Sequence, residues 1–109
     1  MKYEVRLQPL AENDLEEAFL WAASNAPQTA TRWLERFERA LQSLAHDPQR
    51  CSVAPEHRKL KRDLRQLLFG RRPNVFRAVF LTDGNVVQVL RIRRAAPRNL
   101  TREELEGPE

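Results

Sequence analysis

The sequence has few of the residues that build metal sites and cross-links. Its 109 residues include one cysteine, Cys51, and two histidines, His46 and His57. A single thiol forms no intrachain disulfide and no cluster of thiolate ligands, and the spacing of these three residues matches no structural zinc pattern. The composition therefore predicts no metal site. It favours a reducing compartment, which we expect to be the cytoplasm.

Glycine and long apolar stretches are equally scarce. The chain has three glycines and no glycine-rich loop of the kind that holds nucleotide phosphates, so we expect no bound cofactor. No uninterrupted apolar run approaches the roughly 20 residues needed to cross a bilayer, and the start of the sequence, MKYEVRL, is unlike a signal peptide. We therefore predict no membrane partner. The length of 109 residues predicts one domain over residues 1–109, with a core of about 3–94 and a tail of 95–109.

Acidic residues are nearly absent from the middle of the chain. Residues 50–98 contain thirteen lysines and arginines against three acidic residues, a formal charge of +10, whereas residues 1–49 and 99–109 each sum to −3. Such a concentrated basic segment commonly binds a polyanion or an acidic protein surface, and that attraction weakens steeply with salt. The alternative is that these side chains only keep the protein soluble.

The basic middle segment also carries the clearest structural pattern. Two β-rich apolar runs, residues 75–81 and 86–92, flank an Asp-Gly-Asn turn at residues 83–85. Asp-Gly between such runs is a strong hairpin signal. Residues 70–73 (GRRP) separate this hairpin from a third run, residues 64–69. The pattern predicts a three-stranded antiparallel meander.

Alternation along the hairpin strands predicts which side chains are exposed. Successive residues of a strand point to opposite faces, and a buried unpaired guanidinium is very costly, so the faces that carry Arg77, Arg91 and Arg93 are expected to turn away from the core. The same faces carry four valines, Val75, Val79, Val87 and Val89. This is more apolar area than a water-facing sheet usually shows. The pattern thus indicates an exposed arginine surface. Its apolar part is expected to be covered rather than open to water.

The amino-terminal half predicts a strand followed by two helices. Residues 2–7 alternate like a half-buried edge strand, and a proline after them suits the first turn of a helix over about residues 9–24. Apolar residues at helical spacing predict a second helix over roughly residues 28–46, and the short break between the helices favours an antiparallel α-hairpin. A connector, residues 48–56, leads to the peak of basic density at residues 57–65 (HRKLKRDLR).

Together these elements predict an α+β fold. An N-terminal edge strand precedes an antiparallel α-hairpin, which packs on an antiparallel β-sheet that ends in the three-stranded meander. Past the last strand, Thr101 and Glu104 have the spacing of a capping box, and we expect one turn of helix there that frays.

The order and spacing of these elements resemble those of the RelE/ParE superfamily of toxins from type II toxin–antitoxin systems. The resemblance covers roughly residues 3–94. It is carried by short motifs in both halves of the chain, at residues 7–11 (LQPLA), 14–15 (DL), 41–48 (LQSLAHDP), 64–70 (LRQLLFG), 76–80 (FRAVF), 83–84 (DG) and 89–93 (VLRIR). It implies a toxin that a cognate antitoxin protein neutralises.

The superfamily divides by mechanism. RelE-like members cut mRNA in the ribosome with basic residues and often a tyrosine near the carboxyl end. The resemblance makes Arg77, Arg65 and Arg93 the candidate catalytic residues, which would stabilise charge. Ala95 and Ala96, however, stand where a further arginine is sought, and residues 95–109 contain no tyrosine or histidine. Cleavage by a 2′-OH needs a group that accepts its proton, and arginine is a poor base.

The sequence looks closer to ParE-like members, which lack the cleavage residues and poison DNA gyrase. The leading hypothesis is a non-enzymatic toxin of the plasmid-stabilisation type, which inhibits growth by binding its target through the basic sheet face. The alternatives are a ribosome-dependent mRNA endoribonuclease and a non-toxic nucleic-acid-binding module. The predicted target or nucleic-acid contacts are Arg65, Arg77, Arg91, Arg93, Lys59, Lys61 and Arg62. The predicted antitoxin contacts are Val75, Val79, Val87 and Val89.

Overall fold

The computed structural model describes residues 2–95 and 99–107. Its elements follow one another in the order β1 (Glu4–Leu7), α1 (Pro9–Asn25), α2 (Ala30–Gln42), β2 (Ser52–Val53), α3 (His57–Leu60), β3 (Arg65–Arg71), β4 (Asn74–Asp83), β5 (Val86–Arg94) and α4 (Arg102–Glu106). Two single turns of 3-10 helix, Ser43–Ala45 and Pro48–Arg50, lie between α2 and β2. Ala96 and the end of the predicted tail lie outside the described residues.

Five strands form one sheet, in the order β1-β5-β4-β3-β2. Strands β3, β4 and β5 are the predicted antiparallel meander, and Gly84 has the left-handed φ of +61° that suits the Asp-Gly turn. β1 is an edge strand, as predicted, but it runs parallel to β5. The sheet is therefore mixed. A parallel pair needs a long connection, and the helices and strands between β1 and β5 supply it. The short β2, in the connector, pairs with the start of β3.

The α-hairpin packs on one face of the sheet and forms the main core. Ala11 and Ala18 of α1 allow the hairpin to approach the sheet closely. The aromatic side chains of the hairpin, which are Trp21, Trp33 and Phe37, fill the space above the meander. Phe37 of α2 stacks on Phe69 of β3 with 4.5 Å between ring centroids, and the Trp33 ring packs edge-on against Phe76 of β4. The α+β architecture predicted from the sequence is thus confirmed.

A β-bulge in β5 changes which side chains face this core. Phe80 pairs with Val89 but Val79 pairs with Arg91, so Leu90 is an extra residue on β5. An extra residue interrupts the alternation of side chains. Val87 and Val89 are fully buried in the main core, and the prediction that they share a face with Arg91 is wrong.

The opposite, outer face of the sheet is covered by the chain itself. Residues from β4, from the segment around α3 and from the carboxyl-terminal segment form a second apolar cluster there, which comprises Ala54, Leu64, Val79, Leu81, Leu100 and Leu105, with Leu60 and Leu90 packed against it. We call this the outer-face cluster. Val79 is buried in it and Val75 is half-buried. The expected row of exposed valines is therefore absent from the described part of the chain. The chain's own leucines cover Val79, and Val87 and Val89 face the main core.

Candidate target-binding surface

Arg77 on β4 is buried in a hydrogen-bonded ion pair. Both terminal nitrogens of its guanidinium donate to the carboxylate of Glu56, and Nη1 also donates to Gln66 Oε1 on β3 at 3.1 Å. The Arg77 side chain is 9% exposed and that of Glu56 is fully buried. A buried guanidinium is tolerated here because a carboxylate of matching geometry satisfies it.

Glu56 joins separate parts of the fold. It directly precedes α3, it pairs with β4 through Arg77, and its Oε2 accepts a hydrogen bond from the backbone N–H of Leu100 at 2.7 Å. Burial by itself would raise the pKa of Glu56. The hydrogen bonds from Arg77 and from the Leu100 N–H outweigh burial and hold the pKa below its ordinary value. Glu56 therefore holds α3, β4 and the carboxyl-terminal segment together as a charged group.

Arg91 and Arg93 of β5 also have acidic partners. Asp14 of α1 accepts hydrogen bonds from Arg91 Nε at 2.7 Å and Nη2 at 3.0 Å, and one from the N–H of Ile92 at 3.0 Å. The hydrogen bonds to Asp14 raise the pKa of Arg91. Arg93 Nη1 donates to the carboxylate of Glu104 on α4 at 3.2 Å, and 36% of the Arg93 side chain remains exposed.

Arg65, at the start of β3, lies on the other face of the sheet. It is opposite Phe80, a main-core residue, in the β3–β4 register. Its Nη1 donates to the carbonyl oxygens of Gln49 at 3.1 Å and Cys51 at 2.8 Å, and its Nε donates to Asp63 at 3.3 Å. Arg65 thus ties β3 to the segment before β2.

The four arginines therefore do not converge on one open surface, and that prediction is wrong. Arg65 lies on the α-hairpin side, Arg91 turns to α1, and Arg77 is enclosed. Only Arg93 keeps a third of its side chain exposed. Alternation within a strand cannot show this, since the acidic partners of Arg77, Arg91 and Arg93 and the carbonyl partners of Arg65 come from other parts of the chain.

One group of exposed basic residues lies on α3 and the turn after it. Lys61 and Arg62, two of the predicted target contacts, are exposed, and so is Arg58, which was not singled out from the sequence. We call these three residues the α3 basic patch. Lys61 ends α3 in the left-handed region, at φ 53° and ψ 38°, which few residues other than glycine adopt. Lys59 is exposed as well, but its Nζ donates to the Leu100 carbonyl at 2.7 Å.

The carboxyl-terminal segment lies across the outer face beside this patch. We call residues 99–107 the C-terminal strap. Leu100 and Leu105 are buried in the outer-face cluster, and Thr101 and Glu104 form the predicted capping box of α4. The backbone oxygen of Glu104 accepts a hydrogen bond from Arg91 Nη1 at 2.6 Å. The turn expected to fray is therefore packed on the sheet.

The tyrosine and one of the two histidines of the chain have contacts within the fold. The chain's one tyrosine, Tyr3, packs against the main core, and Nδ1 of His57 lies 3.1 Å from the Ala54 carbonyl oxygen. Within residues 2–95 and 99–107, no three His, Cys, Asp or Glu side chains are grouped to hold a metal ion. Among the helices of the same two ranges, none is long and apolar enough to cross a bilayer.

The family of the chain follows from a sequence comparison. A family model described as the ParE toxin of the type II toxin–antitoxin system, parDE, matches residues 5–97. The chain belongs to the ParE toxin family. It is thus a toxin of the type II toxin–antitoxin class, and the ParE-like side of the RelE/ParE resemblance is confirmed.

Solved structures support the ParE-family fold. The chain is similar to a protein of the chromosomal ParDE toxin–antitoxin system of P. aeruginosa, with a TM-score of 0.68 and 20% identity over 87% of this chain and 98% of that one. It is also similar to a protein of the RelBE2 toxin–antitoxin complex of Mycobacterium tuberculosis, with a TM-score of 0.51 and 20% identity over 87% of this chain and all of that one. A search of curated proteins finds no match.

Three residues that organise this ParE-family surface were not predicted from the sequence as site residues. Glu56 and Asp14 hold the predicted contact arginines, and Arg58 adds to the exposed patch. Glu56 carries a signal that could have been used, since it is one of only three acidic residues among residues 50–98. Asp14 carries no such signal, because α1 has several other acidic residues at its start.

Proposed function

We propose that this ParE-family chain is a growth-inhibiting toxin of the cytoplasm that acts by binding its target, and that a cognate antitoxin neutralises it. The family membership supports the toxin class. One observation favours binding over RNA cleavage: Arg77, the residue that matches the cleavage arginine of RelE-like members, is buried against Glu56.

Cleavage would require Arg77 to leave this pair. A phosphate on the protein surface is out of reach of a guanidinium that is 9% exposed and held by Glu56 and Gln66. Breaking the pair would leave Glu56 as a buried carboxylate without a counter-charge, which costs roughly 3–5 kcal/mol. Arg93, the more exposed catalytic candidate, cannot accept the proton of a 2′-OH at neutral pH.

The target contacts are assigned to the α3 basic patch, with Arg93 beside the strap. Arg58, Lys61 and Arg62 are exposed. A cluster of exposed cations attracts an acidic protein or nucleic-acid surface at long range. DNA gyrase is the target that the resemblance to ParE-like members suggests. Arg65, Arg77 and Arg91 are assigned to holding the fold, because their guanidinium groups are already bonded.

An antitoxin partner is supported by the two similar structures, both of which come from toxin–antitoxin systems. The buried positions of Val79, Val87 and Val89 do not favour direct contact with it. Val75, which is half-buried, remains a candidate contact. The strongly basic middle segment favours an antitoxin with an acidic segment.

Induction of the chain in bacterial cells tests the proposal. We expect growth arrest, gyrase-linked DNA damage, no discrete mRNA cuts by primer extension, and rescue by the co-expressed antitoxin. Lys61→Gly with Arg62→Gln should weaken the arrest at least tenfold in viable counts. Glycine suits the left-handed position of residue 61, so the variant is expected to stay folded. Arg32→Gln, an exposed change on the α-hairpin, is the matched control.

Other outcomes lead to the alternatives. Discrete cuts in translated mRNA, abolished by Arg93→Gln with the fold intact, would establish a ribonuclease. No arrest, together with salt-sensitive binding of RNA or DNA by the purified chain, would establish a nucleic-acid-binding module instead.

A further inference from the structure

A groove with aromatic walls lies at the end of the α-hairpin, beside the turn between β3 and β4. Its volume is about 520 Å³. Trp21 of α1, Trp33 of α2 and Phe69 of β3 line it, and each of the three rings is half-buried. We call it the tryptophan groove. Because the same rings pack against the main core, the groove offers partly exposed ring surface that the fold holds in place.

Positive charge surrounds the tryptophan groove. Arg36 of α2 and Arg71 of β3 line it, and none of the described residues that line it is acidic. Arg94, at the end of β5, lies over the Trp21 ring, with its guanidinium carbon 4.9 Å from the ring centroid. Its Nη2 also donates to Oδ1 of Asn74, a residue of the groove, at 2.7 Å. Three separate elements therefore bring arginines to one aromatic groove.

The two arginines that line the groove differ from those of the outer face. Arg77 and Arg91 are bonded to buried carboxylates. Arg36 and Arg71 are exposed, and their guanidinium groups have no ion-pair or hydrogen-bond partner in the described part of the chain. A guanidinium that the fold does not use is available to an outside anion, and its fork of donors matches phosphate and carboxylate oxygens.

Ring surface and unused arginines together indicate the class of ligand. Nucleobases stack on aromatic side chains with little regard to sequence, and basic side chains beside them bind the phosphates of the same strand. The volume of the groove lies in the range of sites for small ligands, so it suits one nucleotide. Arg72 and Arg94 add exposed charge next to the groove. This favours a strand, which has phosphates on both sides of the bound base, over a free nucleotide.

We infer that the tryptophan groove binds one unpaired nucleotide of a single-stranded nucleic acid. The base lies against Trp21 and Trp33. The flanking phosphates pair with Arg36 and Arg71. The site is separate from the α3 basic patch, which precedes β3 in the chain, because the groove lies at the other end of that strand, roughly 20 Å away. The inference goes beyond the proposed function and does not depend on it.

The chain carries its own reporter for this site, because Trp21 and Trp33 are its only two tryptophans. The test titrates the full chain with a short oligodeoxythymidylate, with anisotropy of a fluorescein label giving the affinity. We expect binding that quenches tryptophan emission. A strand with abasic sugars keeps the phosphates but cannot stack, so it should bind at least tenfold more weakly and leave the emission unchanged. A duplex of the same length should do the same, since its bases are already stacked.

A pair of substitutions tests the phosphate contacts. Arg36→Gln with Arg71→Gln should weaken binding of the oligodeoxythymidylate at least tenfold. Arg32→Gln with Arg39→Gln is the matched control, because it removes the same charge from exposed positions of α2 outside the groove. The control should change the affinity less than threefold. The abasic comparison needs no substitution, so the inference stays testable even if a variant does not fold.

Equal affinity for the intact and abasic strands, or equal losses in the two arginine pairs, would show diffuse attraction and overturn the inference. Thymidine monophosphate that binds as tightly as the strand would overturn the choice of a strand. A glutamate–phenylalanine peptide that displaces the strand at lower concentration than unlabelled strand does would indicate a protein occupant instead. Failure of the proposed function is separate, because it appears as absence of growth arrest whatever the strand does.

Discussion

The carboxylate of Glu56 is enclosed by protein and accepts hydrogen bonds from Arg77 and from the Leu100 N–H. A buried ion pair is expensive to desolvate, and it is most costly when only one member is left. In the proposed function, the pair also keeps Arg77 from contacting a phosphate at the surface. Glu56 therefore supports both the fold and the assignment of Arg77 to a structural role.

Removing the charge of Glu56 should destabilise the fold strongly. Glu56→Gln leaves the Arg77 guanidinium buried without a counter-charge, and we expect the free energy of unfolding to fall by about 3–5 kcal/mol. Urea denaturation followed by tryptophan fluorescence measures the change. Glu103→Gln, an exposed change on α4, should shift stability by less than about 0.5 kcal/mol. A loss below about 1 kcal/mol for Glu56→Gln would mean that the pair is not a main support.

The same residue makes stability depend on pH. The folded pKa of Glu56 lies below its ordinary value of 4.5, so the unfolded chain takes up the proton first as pH falls. The stabilisation is present above about pH 4.5 and is lost as pH drops through the folded pKa. Denaturation at several pH values should therefore show a gap between the unmodified chain and Glu56→Gln that narrows below about pH 4.5. A constant gap would contradict the assignment.

At the scale of elements, the bulge at Leu90 decides which side of β5 is inside. Before the bulge, Val87 and Val89 face the α-hairpin, and after it Ile92 does so. Strict alternation places Val89 and Ile92 on opposite faces, so it fails where one residue is added. Because of the bulge, apolar side chains on both sides of Leu90 are buried in the main core. Arg91 and Arg93 still point toward Asp14 and Glu104.

Substitution of Val89 distinguishes the two face assignments. Val89→Asn places a polar amide among the apolar side chains of the main core. We therefore expect a loss of at least about 2 kcal/mol in the free energy of unfolding. Val53→Asn on β2, where the valine is 44% exposed, is the matched control and should cost less than about 0.5 kcal/mol. Similar small losses for both variants would mean that Val89 faces solvent.

At the scale of the whole molecule, opposite charges in distant segments are brought together. The acidic ends of the chain supply Asp14 and Glu104, and the basic middle supplies Arg91 and Arg93. The net charge of the middle segment therefore overstates what a target meets. The exposed basic residues that remain include the α3 basic patch and, at the β3–β4 turn and the end of β5, Arg71, Arg72 and Arg94.

The strap should open more easily than the rest of the molecule. Its Leu105 amide bonds to the Thr101 carbonyl within one helical turn, whereas the Ile92 amide bonds to Asp14 at the main core. Segments with few buried contacts open without global unfolding. Hydrogen exchange should therefore be at least tenfold faster at Leu105 than at Ile92. Equal rates would show that the strap opens only when the whole protein unfolds.

The sequence by itself determined the first strand, the α-hairpin, the three-stranded meander and their order. The helix start at Pro9, the Asp-Gly turn at Gly84 and the capping box at Thr101 and Glu104 are all present as predicted. These signals are local, because each depends on residues within one turn or one hairpin. The same locality explains why the α+β class and the family resemblance could be predicted from the sequence.

Only the tertiary structure decided which charged groups are available. The partners of Arg77 and Arg91 lie 21 and 77 positions away along the chain, and no periodicity within a strand relates them. The parallel pairing of β1, the bulge in β5 and the docking of the strap likewise depend on packing between distant segments. Whether an arginine can bind a target is set by its neighbours in space, because a guanidinium already bonded to a buried carboxylate has little to offer another anion.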